Sequence, residues 1–276
     1  MGDIRISQSL IKELLEYQDG KSCGLQLEEK FIKNNFHKFI ASDSMSVGTW
    51  FEYELTGALP KGNSTPNPKT TTTGKLTSVY EKMIPHIDNF KTAMYFYGLE
   101  LVSAGEKIKY GDLEGTLDIR AKATKDIVTD SGNVIKAGSQ IIIDIKTSGL
   151  LDNKWSDYGW EIENLSNKIK IILQPLMYKY IEMKNTGRDI PFVFMLFNTA
   201  DNTDCRIINF ICSDDSFETL ESLLVKIRKL LAYHISIGWK ARPNMRVCAK
   251  CPIKVGCRHF AVAPPFQDFY FDSANI

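Results

Sequence analysis

A short apolar segment near the middle of the chain contains two charged residues, and it constrains the fold more than any other feature. It reads Ile141-Ile-Ile-Asp-Ile-Lys-Thr-Ser, so Asp144 and Lys146 stand two apart among β-branched residues. Because side chains alternate along a strand, these two share one face and Ile145 lies on the other. Burying charges in an apolar strand is unfavourable unless something compensates the carboxylate, as a metal ion does. The segment predicts a buried strand that carries a metal site.

A second acidic residue, Asp118, lies on the preceding predicted strand. A hairpin would bring it beside Asp144, and two carboxylates suit magnesium or manganese. Such an ion activates water and neutralises a phosphate under attack. Lys146 is a compact cation suited to orient the water or stabilise the transition state. Asp112 and Glu114 share the predicted face of Asp118, so that ligand is not fixed uniquely, and ordinary surface charge is the alternative reading.

The other elements fit one elaborated α/β domain, which a chain of 276 residues can fill. Apolar periodicity and turn residues predict helices, three strands, a helix, two strands and a helix. The helices are predicted at Ile6–Tyr17, Leu25–Lys38, Thr49–Leu55, Leu76–Phe96 (bent or broken at Pro85), Glu161–Lys184 and Asp215–Gly238. The strands are predicted at Lys107–Leu113, Gly115–Ala123, Gln140–Lys146, Pro191–Phe197 and Cys205–Cys212. The proline, glycine, asparagine and threonine residues of the segment 60–75 predict a flexible loop.

Three cysteines near the carboxy terminus have a spacing typical of a metal site. Two residues separate Cys248 from Cys251, and five separate Cys251 from Cys257. Thiolates so close along a chain seldom occur without a soft metal. A closed site needs a fourth ligand, and Cys23, in a glycine-flanked turn, is the candidate. Spacing does not separate zinc from iron–sulfur, and for zinc His259 is an alternative fourth ligand.

The net charge of +1 carries no information about partners, but the distribution of charge does. From Ser222 to Gln267 there is no Asp or Glu, while nine lysines and arginines occur. Such a basic strip can face a phosphate backbone, and a solvated helix face is the alternative. The predicted DNA contacts are Lys240, Arg242 and Arg246.

Composition and the amino terminus bear on the compartment. No run approaches the roughly 18 apolar residues that a membrane span needs, and Met1 to Leu15 has acidic residues without a long apolar core. Six cysteines are too few for a disulfide scaffold. We therefore expect a cytoplasmic protein without a membrane span.

The arrangement of acidic residues and lysine resembles that of the PD-(D/E)XK nuclease superfamily. Its core pattern is one acidic residue, followed later in the chain by Asp or Glu, any one residue, and Lys. Here the pattern is Asp118 followed by Asp144-Ile-Lys. The RecB-like branch adds Gln-x-x-x-Tyr, which matches Gln174 and Tyr178, and this spacing places both on one helix face. The resemblance implies an α/β restriction-endonuclease-like core, with a central mixed sheet flanked by helices.

The resemblance also implies roles for individual residues. Asp118 and Asp144 would hold Mg²⁺ or Mn²⁺ with the Ile145 carbonyl, Lys146 would assist the water, and Gln174 and Tyr178 would position DNA or brace the site. The branch usually begins with Gly-x-x-x-His, and here Gly48-Thr-Trp-Phe-Glu52 offers a glutamate instead. Glutamate is an adequate oxygen ligand, and Glu54 is the nearest competitor.

The cysteine set, Cys23 with Cys248, Cys251 and Cys257, resembles the iron–sulfur RecB-like nucleases, including AddB-type and CRISPR-associated exonucleases. This resemblance implies a four-iron four-sulfur cluster that joins the amino- and carboxy-terminal parts. Residues 1–45 and 238–260 would form the cluster region of a single nuclease domain spanning 1–276.

The implied activity is DNA hydrolysis, with an exonuclease on single strands or duplex ends favoured. The implied setting is recombination, repair or phage replication in a bacterial cytoplasm, with a recombination or helicase protein as partner. The alternative is a DNA-binding or scaffolding protein that keeps the fold and the cluster but has lost turnover.

Overall fold

The computed structural model describes residues 4–35, 42–60, 64–149, 151, 165–243, 245–249, 251, 253–255 and 257–260. The chain forms two compact units, of which the first combines Met1–Gln8 with Ala41–Leu224 and the second combines Ser9–Ile40 with Val225–Ile276. The predicted division into one domain with a cluster region at 1–45 and 238–260 stays a prediction.

The described helices and strands follow the predicted order, with two short strands (Ile127–Val128 and Val134–Ile135) and a last short helix (Met245–Ala249) that were not predicted. The helices are α1 (Gln8–Gln18), α2 (Gly24–Leu27, continued by a π-helical turn at Glu28–Ile32), α3 (Asp43–Thr56), α4 (Ser78–Tyr97), α5 (Leu165–Thr186), α6 (Asp214–Ile237) and α7 (Met245–Ala249). The strands are β1 (Leu99–Tyr110), β2 (Leu113–Ala123), β3 (Ile127–Val128), β4 (Val134–Ile135), β5 (Gln140–Ser148), β6 (Phe192–Asn198) and β7 (Cys205–Phe210).

The central sheet has the strand order β1-β2-β5-β6-β7. Neighbouring strands are antiparallel except β5 and β6, which are parallel, so the sheet is mixed. The short strands β3 and β4 form a separate hairpin. The predicted α/β fold with a mixed sheet flanked by helices is confirmed.

One face of the sheet buries a large hydrophobic core cluster. Ile143 and Ile145 of β5 belong to it, together with Phe51 of α3 and Met83 of α4. The Phe51 ring meets that of Phe197 edge to face, with the ring centroids 4.9 Å apart. Because side chains alternate along β5, the even-numbered residues point to the opposite face, where α5 supplies the partners.

Several element boundaries differ from the predictions for local reasons. Helix α3 is longer than Thr49–Leu55 because Ser42 caps its start, accepting a hydrogen bond from the Met45 N–H at 3.3 Å. Gly57 ends α3 in the left-handed conformation. Helix α4 continues through Pro85 without a break, and its buried side chains occur on both sides of the proline.

Some predictions fall partly outside the described residues. Residues 161–164 of the predicted helix at Glu161–Lys184 lie outside them, and so do residues 61–63 of the loop at 60–75. In the described part of that loop, Thr70 pairs with Leu76 in an isolated bridge. No helix among the described residues is long and apolar enough to cross a membrane.

Candidate active site

Asp118 and Asp144 come together on neighbouring strands. In the antiparallel register of β2 and β5, Ile119 pairs with Ile143, so the two aspartates occupy the next positions along their strands. The Ile145 N–H donates a hydrogen bond to Asp118 Oδ2 at 2.8 Å. This bond identifies Asp118, rather than Glu114 of β2 or Asp112 just before it, as the acid that contacts β5.

Lys146 lies beside Asp144 on the same face of β5. Its Nζ is 2.5 Å from Asp144 Oδ2, and its side chain keeps 33% of its surface exposed while that of Asp144 keeps 1%. Asp144 Oδ2 has this ion pair but no hydrogen bond of good geometry among the described residues. A fully buried carboxylate oxygen thus keeps acceptor capacity beyond its contact with Lys146.

Helix α5 brings Gln174 and Tyr178 to the same two strands. Gln174 Nε2 donates to Asp144 Oδ1 at 2.5 Å. The Tyr178 hydroxyl accepts from the Thr116 N–H at 3.4 Å, and its ring lies against Gly115 of β2. The predicted pair therefore has distinct local contacts, because Gln174 orients the buried carboxylate while Tyr178 rests on β2.

The ionisable groups of the site strongly influence one another. Burial raises the pKa of Asp118 well above its usual range, with Asp144 and Glu52 adding to the shift. Burial also raises the pKa of Asp144, against the opposing effect of Lys146. Burial disfavours the charged form of Lys146, yet Asp144 and Asp118 outweigh that effect and raise its pKa. Burial and the two aspartates raise the pKa of Tyr178 to about 12.

Glu52 contributes a third carboxylate, from the middle of α3. It is partly buried, and burial followed by repulsion from Asp144 raises its pKa, while Lys146 opposes the rise. Glu54, the competing candidate, is exposed. The structure therefore favours Glu52 over Glu54 as the acidic residue of α3 nearest the site.

The donor chemistry of this cluster fits a hard divalent cation. A bound cation would stabilise the ionised form of carboxyl groups whose pKa is raised by burial. Mg²⁺ and Mn²⁺ prefer oxygen ligands. Within the described ranges, however, no three His, Cys, Asp or Glu side chains converge closely enough to hold a metal ion. Asp118 and Asp144 fit as a ligand pair, and the ligand roles of Glu52 and the Ile145 carbonyl stay predictions.

A buried ion-pair network beside the site is not predicted from the sequence. Arg120 of β2 is 7% exposed and Glu182 of α5 is 4% exposed. They form an ion pair in which Arg120 Nη2 lies 2.8 Å from Glu182 Oε1. Sequence spacing indicates the faces of these residues but not their pairing, because Arg120 follows Asp118 by two residues on a strand and Glu182 follows Tyr178 by four on a helix. Both extend the same faces that carry the predicted site.

The predicted cluster cysteines all belong to the second compact unit. Cys23, Cys248 and Cys251 are buried, Cys257 is partly buried, and all four are free thiols. Consecutive turns link the last three, since the Cys251 N–H donates to the Cys248 carbonyl at 3.0 Å. The absence of a metal-binding group among the described residues extends to these cysteines, so the cluster stays a prediction.

The predicted DNA contacts also belong to the second unit and differ in exposure. Lys240 is exposed. The Arg242 guanidinium stacks 4.3 Å from the Tyr17 ring centroid and donates to the Tyr17 carbonyl, so it has an internal role. The side chain of Arg246 lies outside the described residues. Their contact with DNA stays a prediction.

Comparison with known proteins identifies the family. The family model described as a PDDEXK-like domain of unknown function (DUF3799) matches residues 7–253. The chain belongs to this PDDEXK-like family. The matched range includes the positions of Asp118, Asp144 and Lys146.

One solved structure shares this fold. The crystal structure of a "Putative exonuclease" from Eubacterium rectale is similar, with a TM-score of 0.59 at 16% sequence identity, covering 96% of this chain and 91% of that one. The structure of SSO0001 has a TM-score of 0.34 at 13% identity, covering 94% and 87% of the two chains, which is too low to support an argument. A search of the curated proteins found no match.

Proposed function

We propose that this PDDEXK-like protein is a metal-dependent DNA nuclease of the RecB-like branch. The observation that carries the proposal is the buried Asp144 carboxylate, which Lys146 and Gln174 contact from two elements while Asp118 faces it from a third. A structural ion pair would need only Asp144 and Lys146. The additional acid and the orienting amide are the parts that phosphodiester hydrolysis requires.

Each side chain would have a defined task in hydrolysis. Asp118 and Asp144, with Glu52 and the Ile145 carbonyl, would hold one or two Mg²⁺ or Mn²⁺ ions. A bound ion supplies charge neutralisation at the phosphate and lowers the pKa of a bound water. Lys146, charged and partly exposed, would orient the attacking water. Gln174 would keep Asp144 in one rotamer, with the Oδ2 atom that Lys146 contacts directed toward the site.

DNA ends are the proposed substrate, and exonuclease action on single strands or duplex ends is the proposed mode. The Eubacterium rectale protein carries exonuclease in its name, which supports this choice. Recombination, repair or phage replication in a bacterial cytoplasm is the proposed setting, with a recombination or helicase protein as partner. The resemblance to RecB-like nucleases supports that setting.

We further propose that Cys23, Cys248, Cys251 and Cys257 hold a [4Fe–4S] cluster, with a structural zinc ion as the alternative. Burial of three of the four thiols supports a shared site. In either case the metal would join chain segments that are far apart in sequence, which stabilises a fold by restricting the unfolded chain.

The deciding experiment measures cleavage of end-labelled single- and double-stranded DNA in Mg²⁺ or Mn²⁺. Wild type, Asp144→Ala and Lys146→Ala would be compared, with Asp126→Ala, an exposed carboxylate, as the matched control. Loss of cleavage in the first two variants alone supports the site. Equal activity in all proteins would refute it, and a folded wild type that binds DNA without cleaving it would identify an inactive DNA-binding or scaffolding protein.

A further inference from the structure

One arginine connects the helix and strands that carry the candidate site. Arg120 donates to Glu182 of α5 twice, at 2.8 Å and 3.2 Å. It donates to Glu106 of β1 at 2.8 Å and 2.9 Å, and to Gln140 of β5 at 3.2 Å. These bonds use all five donors of the guanidinium. Arg120 on β2 therefore contacts both neighbouring strands and α5.

The network and the site occupy the same faces of the same elements. On β2, Arg120 lies two residues from Asp118, which is about 7 Å along a strand. On α5, Gln174, Tyr178 and Glu182 follow one another at four-residue intervals, so each lies one turn from the next. Arg120 is therefore the next residue after Asp118 on the same face of β2, and Glu182 lies one helical turn after Tyr178 on α5.

Apolar packing alone leaves the position of α5 on the sheet loosely specified, because hydrophobic attraction has no direction. A paired guanidinium and carboxylate form two parallel bonds and tolerate little sliding or rotation. Buried ion pairs contribute little net stability compared with apolar replacements, and fixing register is their best-attested use. Stability alone therefore does not explain these buried charges.

We propose that Arg120 and Glu182 are positioning residues that set the register of α5 on the sheet. In that register Gln174 reaches Asp144, and Tyr178 reaches Thr116. The catalytic part of this inference rests on the proposed nuclease function, whereas the structural part does not.

The test is a double-mutant cycle between Glu182→Gln and Gln174→Ala. In the Glu182→Gln variant Arg120 retains its ion pair with Glu106. The buried guanidinium therefore keeps a negatively charged partner, and the protein should fold. We expect kcat to fall by about 10- to 100-fold with KM for DNA unchanged, as misplacement of a site residue produces. In the Gln174→Ala background the Glu182→Gln substitution should lower kcat by less than about threefold, because Gln174 is no longer present to be misplaced.

The matched control is Asp189→Asn. It breaks another ion pair of α5, since Lys179, whose side chain is 4% exposed, lies 2.7 Å from Asp189. This partner belongs to the turn after the helix and not to the sheet, so kcat should stay within about twofold of wild type. Comparable losses of kcat in Asp189→Asn and Glu182→Gln would overturn the positioning role, as would an equal effect of Glu182→Gln in both backgrounds.

Hydrogen exchange of the segment 173–182 gives a readout that does not depend on activity. Exchange should become faster in Glu182→Gln than in wild type or Asp189→Asn. If the wild type cleaves no nucleic acid, the nuclease proposal fails, and exchange alone then decides the structural inference. Unchanged exchange in Glu182→Gln would overturn it whether or not the protein is a nuclease.

Discussion

The ring of Tyr178 lies so close to Gly115 that a β-carbon at position 115 would come within 2.5 Å of it. The obstacle is a ring buried beneath α5, and not the free end of a long side chain. Glycine at this point of β2 is therefore a packing requirement of the α5 interface, because any larger residue must displace Tyr178.

We first predict that Gly115→Ala lowers nuclease activity at least tenfold and destabilises the protein by about 1–3 kcal/mol, the usual effect of overpacking. Gly149→Ala is the matched control, because a β-carbon there would have an ordinary 3.5 Å contact with Thr199. Cleavage assays and urea unfolding measure both effects. Wild-type activity in Gly115→Ala would show that Tyr178 has room to move.

Asp118→Asn should abolish cleavage yet stabilise the metal-free protein at neutral pH. Because burial raises the folded-state pKa of Asp118, its contribution to stability is full below the unfolded value near 4 and is lost as pH rises through the folded pKa. Asparagine does not ionise, so the variant does not lose this stability as pH rises. Thermal unfolding in EDTA should give a higher Tm for the variant at pH 8 and no difference near pH 3.

The control for this prediction is Asp126→Asn. Asp126 is exposed, and its hydrogen bond from Lys136 lowers its pKa, so the variant should gain no stability at pH 8. Added Mg²⁺ or Mn²⁺ should raise the Tm of wild type and leave that of Asp118→Asn almost unchanged, because only an intact site binds the ion in the folded state. An equal metal response in both proteins would place the ion elsewhere.

Glu52→Gln should weaken the apparent affinity for Mn²⁺ and lower cleavage, whereas Glu54→Gln should do neither. Glu52 is partly buried with its pKa raised by burial and Asp144, and Glu54 is exposed on the same helix. A loss of about tenfold in metal affinity is typical for one ligand or its close support. Manganese titrations of activity would measure it, and the reverse pattern would assign the role to Glu54.

Cys23→Ala should remove most of the bound metal from anaerobically purified protein, while Cys205→Ala, a change at an exposed cysteine of β7, should retain it. Iron, sulfide and zinc analysis, together with the visible spectrum, separates the two metals. A colourless wild type with stoichiometric zinc would exclude the iron–sulfur cluster. Full metal content in Cys23→Ala would show that the fourth ligand is another residue, such as His259.

Lys240→Ala should weaken DNA binding and reduce the slope of log affinity against log salt by about 0.9 for each duplex phosphate that the protein no longer neutralises. Lys240 is exposed, so its removal should leave Tm unchanged. Arg242→Ala should lower Tm as well, because Arg242 stacks on Tyr17. An unchanged salt slope in both variants would assign this strip to structure alone.

The sequence could predict the parts of this protein that depend on local periodicity. Alternation placed Asp144 and Lys146 on one face of β5, and helical spacing placed Gln174 and Tyr178 together on α5, as the structure has them. The mixed sheet was expected from the resemblance to the PD-(D/E)XK superfamily, which itself depends on these motifs. These patterns depend only on residues close together in the chain.

Contacts between distant segments could not be predicted in the same way. The five bonds of Arg120 join three strands and a helix, and nothing near Arg120 in the sequence specifies Glu106 or Glu182 as its partners. The choice of Asp118 over Asp112 required the register of β2 and β5. The extent of α3 depended on its cap at Ser42, which lies outside the apolar pattern.

The parallel pairing of β5 with β6 has a consequence for synthesis on the ribosome. Parallel neighbours need a crossover connection, and α5 lies in the chain segment between these two strands. A nascent chain that has emerged through residue 186 contains both motifs of the site but lacks β6, the strand beside which β5 must align. The proposed DNA cleavage should therefore be acquired late in translation, after the residues proposed to perform it have been made.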